Sequence, residues 1–164
     1  MLRQRTFLKK TRRGKVIKVV REHYLRDDLN CGRRECRHCP YDQQENKLRL
    51  PQRPGKSHSN KHKNNHYLVL DTNVVLNQID VLESEGLENV IVLSTVMQEV
   101  SHRSSPVLKR LKDLLSDPNR AFGVFVNEHH SECYVERKPG ESANDRNDRA
   151  IRRAAKWYKE HLEG

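Results

Sequence analysis

The 164-residue sequence predicts an α/β fold with a central parallel sheet, carried by the second part of the chain and preceded by a basic arm. Three observations support this. Short unbroken apolar runs recur at 67–70, 90–93 and 121–126, the pattern of strands covered on both faces. Helical start signals and helical apolar spacing fill the segments between and after them, and such alternation implies a parallel sheet with right-handed crossovers. The charge is also divided. Through His66 there are 19 Lys and Arg against 6 Asp and Glu, a net of +13, and from Tyr67 onward 13 against 16, a net of −3. With only 34% hydrophobic residues overall, part of the chain builds no core.

Taken in order, residues 1–45 are the arm. Its first thirty residues mix basic and apolar side chains, as in Val16-Ile17-Lys18-Val19-Val20, and the periodicity does not decide between strand and short helix. Residues 46–66, with Pro51, Pro54, Gly55 and the polar tract from Lys56 to Asn65, read as a solvated linker whose lysines could also touch RNA. The body, 67–164, opens with the strand Tyr67-Leu68-Val69-Leu70. Asn73 can cap a helix running through about Glu83. Val90-Ile91-Val92-Leu93 is the second strand, and Thr95 with Gln98 has capping-box spacing for the helix after it. Ser105-Pro106 opens a helix through Leu115, and 121–126 is the third strand. After Pro139-Gly140, Asp145 through Leu162 reads as a long helix. No internal repeat is visible.

The opening Met1–Arg13 has no apolar core of a secretory signal, and no run approaches the roughly 18 apolar residues of a membrane span. Four cysteines without such a signal point to a reducing compartment, where clustered cysteines more often bind metal than pair. The expectation is a soluble intracellular protein. Its pI near 9.7 suggests a polyanionic partner, most commonly nucleic acid.

In parallel α/β folds the working groups collect at the carboxyl ends of the strands. Asp71 directly follows the first strand, Glu99 lies one turn into the helix after the second, and Asp145 and Asp148 stand in the first turn of the last helix. Carboxylates gathered from separate strand–helix junctions repel one another unless a hard cation joins them. Oxygen ligands suit Mg²⁺ or Mn²⁺, which can activate water against a phosphodiester. Each residue also has a plainer reading: Asp71 as a turn former, Asp145 or Asp148 as helix caps, Glu99 as a surface acid. Cys31, Cys36 and Cys39 form a C-x4-C-x2-C pattern with His38 inside it, and three thiolates need one more nitrogen or sulfur ligand to close a zinc site. Three unrelated thiols is the alternative. Cys133 stands apart and reads as structural, and the pair His129-His130 reads as a surface or packing feature.

Asp71-Thr72-Asn73-Val74, Gln98-Glu99-Val100 and Asn144-Asp145-Arg146-Asn147-Asp148 together resemble a PIN domain, the fold of metal-dependent ribonucleases. Arg21-Glu22-His23-Tyr24-Leu25-Arg26-Asp27-Asp28, Asn127-Glu128-His129-His130 and Asn147–Ile151 followed by Trp157-Tyr158 resemble the catalytic nuclease subunit of the eukaryotic RNA exosome, the ribosomal RNA-processing protein 44 family. The resemblance covers essentially the whole chain, with residues 40–65 the loosest. It implies a PIN-like three-layer fold preceded by an arm with a zinc knuckle. It also implies an endoribonuclease site with Asp71, Glu99 and Asp148 as Mg²⁺ or Mn²⁺ ligands, Asp145 being the weaker choice. For the cysteines it implies zinc, with His161 as the fourth ligand. His161 lies 13 residues beyond Asp148 on the same helix, about 20 Å along and about 220° around, so it cannot serve the carboxylates. His38 is its competitor. In the family a further strand ending in a fourth acidic ligand follows the last helix. This chain reaches Gly164 before it, which suggests a truncated product with its carboxyl-terminal strands missing and an incomplete metal site. The family's 3′–5′ exoribonuclease region is absent as well.

Two functions follow from the resemblance. One is an RNA exosome nuclease fragment that hydrolyses RNA in processing and decay, in nucleus, nucleolus and cytoplasm. The other is a catalytically weak docking module that binds the exosome ring through the zinc motif and PIN body. A free-standing zinc-dependent RNA-binding protein is a third, weaker idea. RNA and ring subunits are the expected partners, and a membrane is not.

Overall fold

The structure, a computed structural model, describes residues 2–32, 36–39 and 67–162. The expected linker 46–66 lies outside the described residues. The arm folds as an antiparallel hairpin, β1 (Leu2–Lys10) and β2 (Val16–Tyr24), paired in register from Leu2↔Tyr24 to Lys10↔Val16. That settles the strand-or-helix question for this segment, since the β-branched Val16, Ile17, Val19 and Val20 suit a pleated ribbon. The turn closes with Thr11 N–H on the Lys15 carbonyl (2.8 Å) and Gly14 N–H on the Thr11 carbonyl (3.0 Å). Gly14 has φ +78°, a conformation that costs a residue without Cβ little.

The body is a three-stranded parallel sheet in the order β3 (Leu68–Val69), β4 (Val90–Leu93), β5 (Phe122–Phe125). As the middle strand, β4 is buried at all four residues. β3 is an edge strand of two half-buried residues, shorter and less covered than its apolar run suggests. Between the strands lie α1 (Thr72–Asn77), α2 (Ile79–Glu83), α3 (Ser94–Arg103) and α4 (Ser105–Ser116), and α5 (Ala143–Leu162) closes the body. α3 lies against α1, α4 and α5, which puts it at the centre of the helical layer. The core joins Val75, Leu82, β4, Val96, Val100 and Leu111 to Phe125 and to Ala154, Trp157 and Tyr158 of α5. There Phe125 stacks on Trp157 at 5.0 Å and meets Tyr158 edge-on at 5.0 Å.

Several boundaries differ from the sequence reading, each for a local reason. The helix after β3 begins at Thr72 with Asp71, not Asn73, at the cap position, and it breaks at Gln78 (φ −132°) into α1 and α2. α3 starts at Ser94 with no side-chain cap. Thr95 cannot serve a capping box because its hydroxyl donates to Glu128 Oε1 instead (2.5 Å). α4 is capped by Ser104, whose hydroxyl accepts from Val107 N–H (3.4 Å), with Pro106 inside the first turn. α5 begins two residues earlier than expected, because Ser142 and Asp145 form a reciprocal cap: Asp145 N–H to Ser142 Oγ (3.0 Å) and Ser142 hydroxyl to Asp145 Oδ2 (2.6 Å). Among the described residues, no helix is long and apolar enough to cross a membrane.

The arm returns to the body beside β5. Leu25 is fully buried, Arg26 N–H reaches the His129 carbonyl (2.7 Å), and Ser131 N–H reaches the Arg26 carbonyl (2.8 Å). His23 Nε2 lies 2.6 Å from the Glu128 carbonyl, and its ring stacks between His129 (5.0 Å) and Tyr134 (4.5 Å). His130 is buried against Phe125 and Trp157, with Nε2 on the Leu29 carbonyl (3.2 Å), and burial lowers its pKa. The histidine pair is therefore a packing feature that fastens the arm.

Candidate functional site

Two clusters of functional side chains sit at opposite ends of α5. The first lies at the carboxyl ends of the strands. Asp71 is half-buried, and its carboxylate makes no capping bond to α1, so it is not used up as a turn former. The next residue, Thr72, is buried and donates its hydroxyl to Glu99 Oε2 (2.5 Å). The Glu99 side chain is only 11% exposed, so it is not the surface acid of the plainer reading. One turn on, the Arg103 guanidinium approaches Glu99 Oε1 at 3.8 Å and donates to Asn144 Oδ1 at 3.1 Å. Asn144 lies one turn before the half-buried Asp148 on α5. A continuous run of contacts thus leads from the Asp71 junction through Glu99 to the first turns of α5. The contacts run between neighbours of the three carboxylates, which among the described residues do not form a group whose ligand atoms close to within 4.8 Å. Asp145, held by Ser142, serves as a cap.

A brace behind this face escaped the sequence reading. Asn127 and Glu128 stand two and three residues past the end of β5, close to the kind of position that singled out Asp71. Arg146 forks onto both Glu128 oxygens (2.6 and 2.6 Å), with side chains 14% and 8% exposed. Burial alone would raise the Glu128 pKa. The Arg146 and Thr95 hydrogen bonds more than offset that and hold it below the ordinary carboxylate value. Asn127 accepts from the Ser94 hydroxyl (3.0 Å) and from Thr95 N–H (3.2 Å), and donates to Thr95 Oγ1 (2.7 Å). The brace locks β5, the start of α3 and the start of α5 together. Reading every acidic residue after a strand, rather than three of them, would have found it.

The second cluster joins the arm to the last turn of α5. Cys31, Cys36, Cys39 and His161 place their ligand atoms all within 4.8 Å of one another. His161 Nδ1 lies 3.3 Å from Cys36 Sγ and 3.2 Å from Cys39 Sγ. Cys31 N–H donates to Cys39 Sγ (3.2 Å). A hydrogen bond from Cys31 is the largest of the effects that bring the Cys39 thiol down to about 5, the direction that suits a metal ligand. Trp157 packs on the His161 ring at 3.8 Å and fixes its plane. Exposed His38 lies beside His161, ring to ring at 5.3 Å, and is not one of the four. Three thiols and one imidazole nitrogen fit a tetrahedral zinc ion, whose ligand atoms stand roughly 3.5–3.8 Å apart. Cys133 lies apart, fully buried, with its thiol pushed up to about 12 by burial.

A family model described as PIN domain matches residues 68–164. The chain belongs to the PIN domain family. Its similarity to known proteins extends through the arm as well. It is 56% identical to the exosome complex exonucleases RRP44 of Mus musculus and Homo sapiens, over 162 and 163 residues, 99% of the chain in each case. The chain spans 17% of the length of either relative. The solved T. brucei RRP44 PIN domain is similar with a TM-score of 0.67 and 27% identity, covering 84% of the chain and 68% of that structure. This PIN domain thus has the α/β architecture with a parallel sheet that the apolar runs predict.

Proposed function

We propose that this PIN domain is the endoribonuclease unit of an RNA exosome nuclease and hydrolyses RNA phosphodiester bonds in RNA processing and decay. The reading is carried by the run of contacts that joins the Asp71 junction, Glu99 and the start of α5 in a chain with RRP44-type relatives. Bound at this face, Mg²⁺ or Mn²⁺ would activate water and offset charge on the phosphate. The chain supplies the frame. Thr72 orients Glu99, Arg103 places a cation beside it, and the Glu128–Arg146 brace holds Asp148 opposite. At the second cluster Cys31, Cys36, Cys39 and His161 would hold Zn²⁺ in an architectural role, clasping the arm to α5.

The test is cleavage of circular single-stranded RNA, which has no end for an exonuclease, in Mn²⁺. Asp148→Asn is expected to reduce cleavage about 100-fold or more. Unchanged cleavage would remove Asp148 from the site. A metal assay finding no zinc in the purified chain would likewise dispose of the second ion.

A second reading, docking on the exosome ring, is favoured by the hairpin. Leu2, Leu8, Val16, Val20 and Tyr24 all lie on one face of it, each 45% to 72% exposed. Docking predicts that exosome ring subunits are captured by the Asp71→Asn chain but not by Cys36→Ser. We assign the protein to nucleus, nucleolus and cytoplasm on the same reading, and imaging of the tagged chain checks it.

A further inference from the structure

The opposite face of the hairpin is built differently. Residues paired across an antiparallel ribbon share a face, so Arg3↔His23, Arg5↔Arg21, Phe7↔Val19 and Lys9↔Ile17 form the side away from Leu2, Leu8, Val16, Val20 and Tyr24. From Leu2 to Tyr24 the hairpin carries nine Lys and Arg, of which Arg3, Arg5, Lys9 and Arg21 lie on this face, and a single acid, Glu22, on the other. On this face Arg21 lies over the Phe7 ring at 5.2 Å, and alternate residues repeat about every 6.6 Å along a strand. Among the described residues the open end rests on the body. There Arg3 lies over the Tyr134 ring (5.7 Å) and pairs with Glu136 at 3.7 Å.

Tyr134 and Glu136 are also two walls of a cavity of about 560 Å³, whose other walls are Val135, Arg149, Arg152 and Arg153. Helix geometry orders these arginines. Measured from Asp148, Arg152 stands about 40° around α5, Arg149 about 100° and Arg153 about 140°. The buried side, from Ala150 to His161, occupies about 180–300°. The arginines therefore fill the sector between the core and Asp148, and Arg152 lies one turn from Asp148, its Nε on the Asp148 carbonyl (3.2 Å). The acids beside the cavity are matched locally: Glu136 by Arg3, and Glu141 by a bidentate Arg149 (2.6 and 2.7 Å).

We infer that the arginine face of the hairpin and the Arg149–Arg152–Arg153 cavity form one continuous track for the backbone of single-stranded RNA, ending at Asp148. A flexible polyanion is the occupant that suits a cationic lane continued over two elements and terminating at a phosphodiester-cleaving site. Nothing on the lane reads bases through a paired carboxylate or amide, so it holds phosphates without sequence preference. The inference rests on the endoribonuclease reading for its direction, but it can be tested apart from cleavage.

The experiment is fluorescence anisotropy of a labelled single-stranded RNA with the full zinc-loaded chain, with Mg²⁺ and Mn²⁺ left out of the buffer and no chelator, between about 50 and 200 mM NaCl. Arg5→Glu with Arg21→Glu, and separately Arg152→Glu, are expected to weaken binding about tenfold and to lower the salt slope by about 0.7 for each phosphate no longer neutralised. Arg5→Gln with Arg21→Gln gives the same direction with less repulsion, should the reversal disturb the hairpin. Leu8→Ser with Val20→Ser, on the apolar face, should leave affinity and slope unchanged. Charge variants that keep the parental slope overturn the track, as do apolar-face variants that weaken RNA binding as much as the reversals. If binding follows the charge variants but no RNA is ever cut, the nuclease reading fails and the track stands.

Discussion

The two clusters share one helix and are assembled on opposite principles. At the end of α5, three sulfurs and a nitrogen from distant parts of the chain meet within 4.8 Å. At its start, Asp71, Glu99 and Asp148 are linked, among the described residues, only through their neighbours, Thr72, Arg103 and Asn144. The sulfur and nitrogen atoms are gathered by short contacts among themselves, Cys31 N–H and His161 Nδ1 both reaching Cys39 Sγ. At the carboxylate face no such contacts join the acids, and the fold instead stiffens what flanks them through the Glu128–Arg146 pair. The rigidity of the carboxylate face therefore resides in Glu128, Arg146, Asn127 and Thr95, whose side chains bond to one another.

Breaking that brace should have the largest effect. Arg146→Met leaves Glu128 charged and buried, and is expected to destabilise the body by about 3–5 kcal/mol, read by urea unfolding. The same pair sets the sign of a pH dependence. Glu128 is held below its ordinary value of 4.5 in the folded state, so its contribution is present above that pH and disappears as the pH falls through the lowered value. Glu141, held down to about 2 by Arg149, adds to the same trend. The urea midpoint should drop below pH 4.5, and less so in Glu128→Gln.

Cys36→Ser comes next, with loss of bound zinc and about 3 kcal/mol of stability. It sharpens the comparison, because the folded fraction should still cleave RNA at the parental rate. A parallel loss of cleavage per folded molecule would show that the two ends of α5 act as one site. The smallest change is expected from Thr72→Val, about 1 kcal/mol by thermal unfolding, because the Glu99 carboxylate loses one hydrogen bond but keeps Arg103 nearby. Its cleavage should fall further than its stability does.

How much of this could be read in the amino-acid sequence depends on the range of the interaction. The apolar runs 90–93 and 121–126 announce their strands because burial on both faces leaves no polar position to confuse the period. Local rules fail where a distant residue competes. Thr95 has capping-box spacing, yet Glu128 takes its hydroxyl from 33 residues away. The hairpin is ambiguous because both its faces mix apolar and charged residues, Lys18 beside Leu8 on one and Phe7 beside Arg21 on the other, and neither is a core. Asp71, Glu99 and Asp148 were visible from topology, whereas Arg103 was not, since its role exists only once α3 and α5 lie side by side.

The single helix joining the two clusters fixes a length. Thirteen residues separate Asp148 from His161, and that interval sets both the distance and the angle between them. One inserted residue turns everything beyond it by about 100°, which would swing His161 off the cysteines or Asp148 off its face. The shortest insertion that nearly restores the angle is seven residues, and it would carry His161 about 10 Å past the arm. The segment works as a ruler that cannot be regraduated: a chain that keeps both centres must keep this interval unchanged, whatever happens to the length of the connection between the arm and β3.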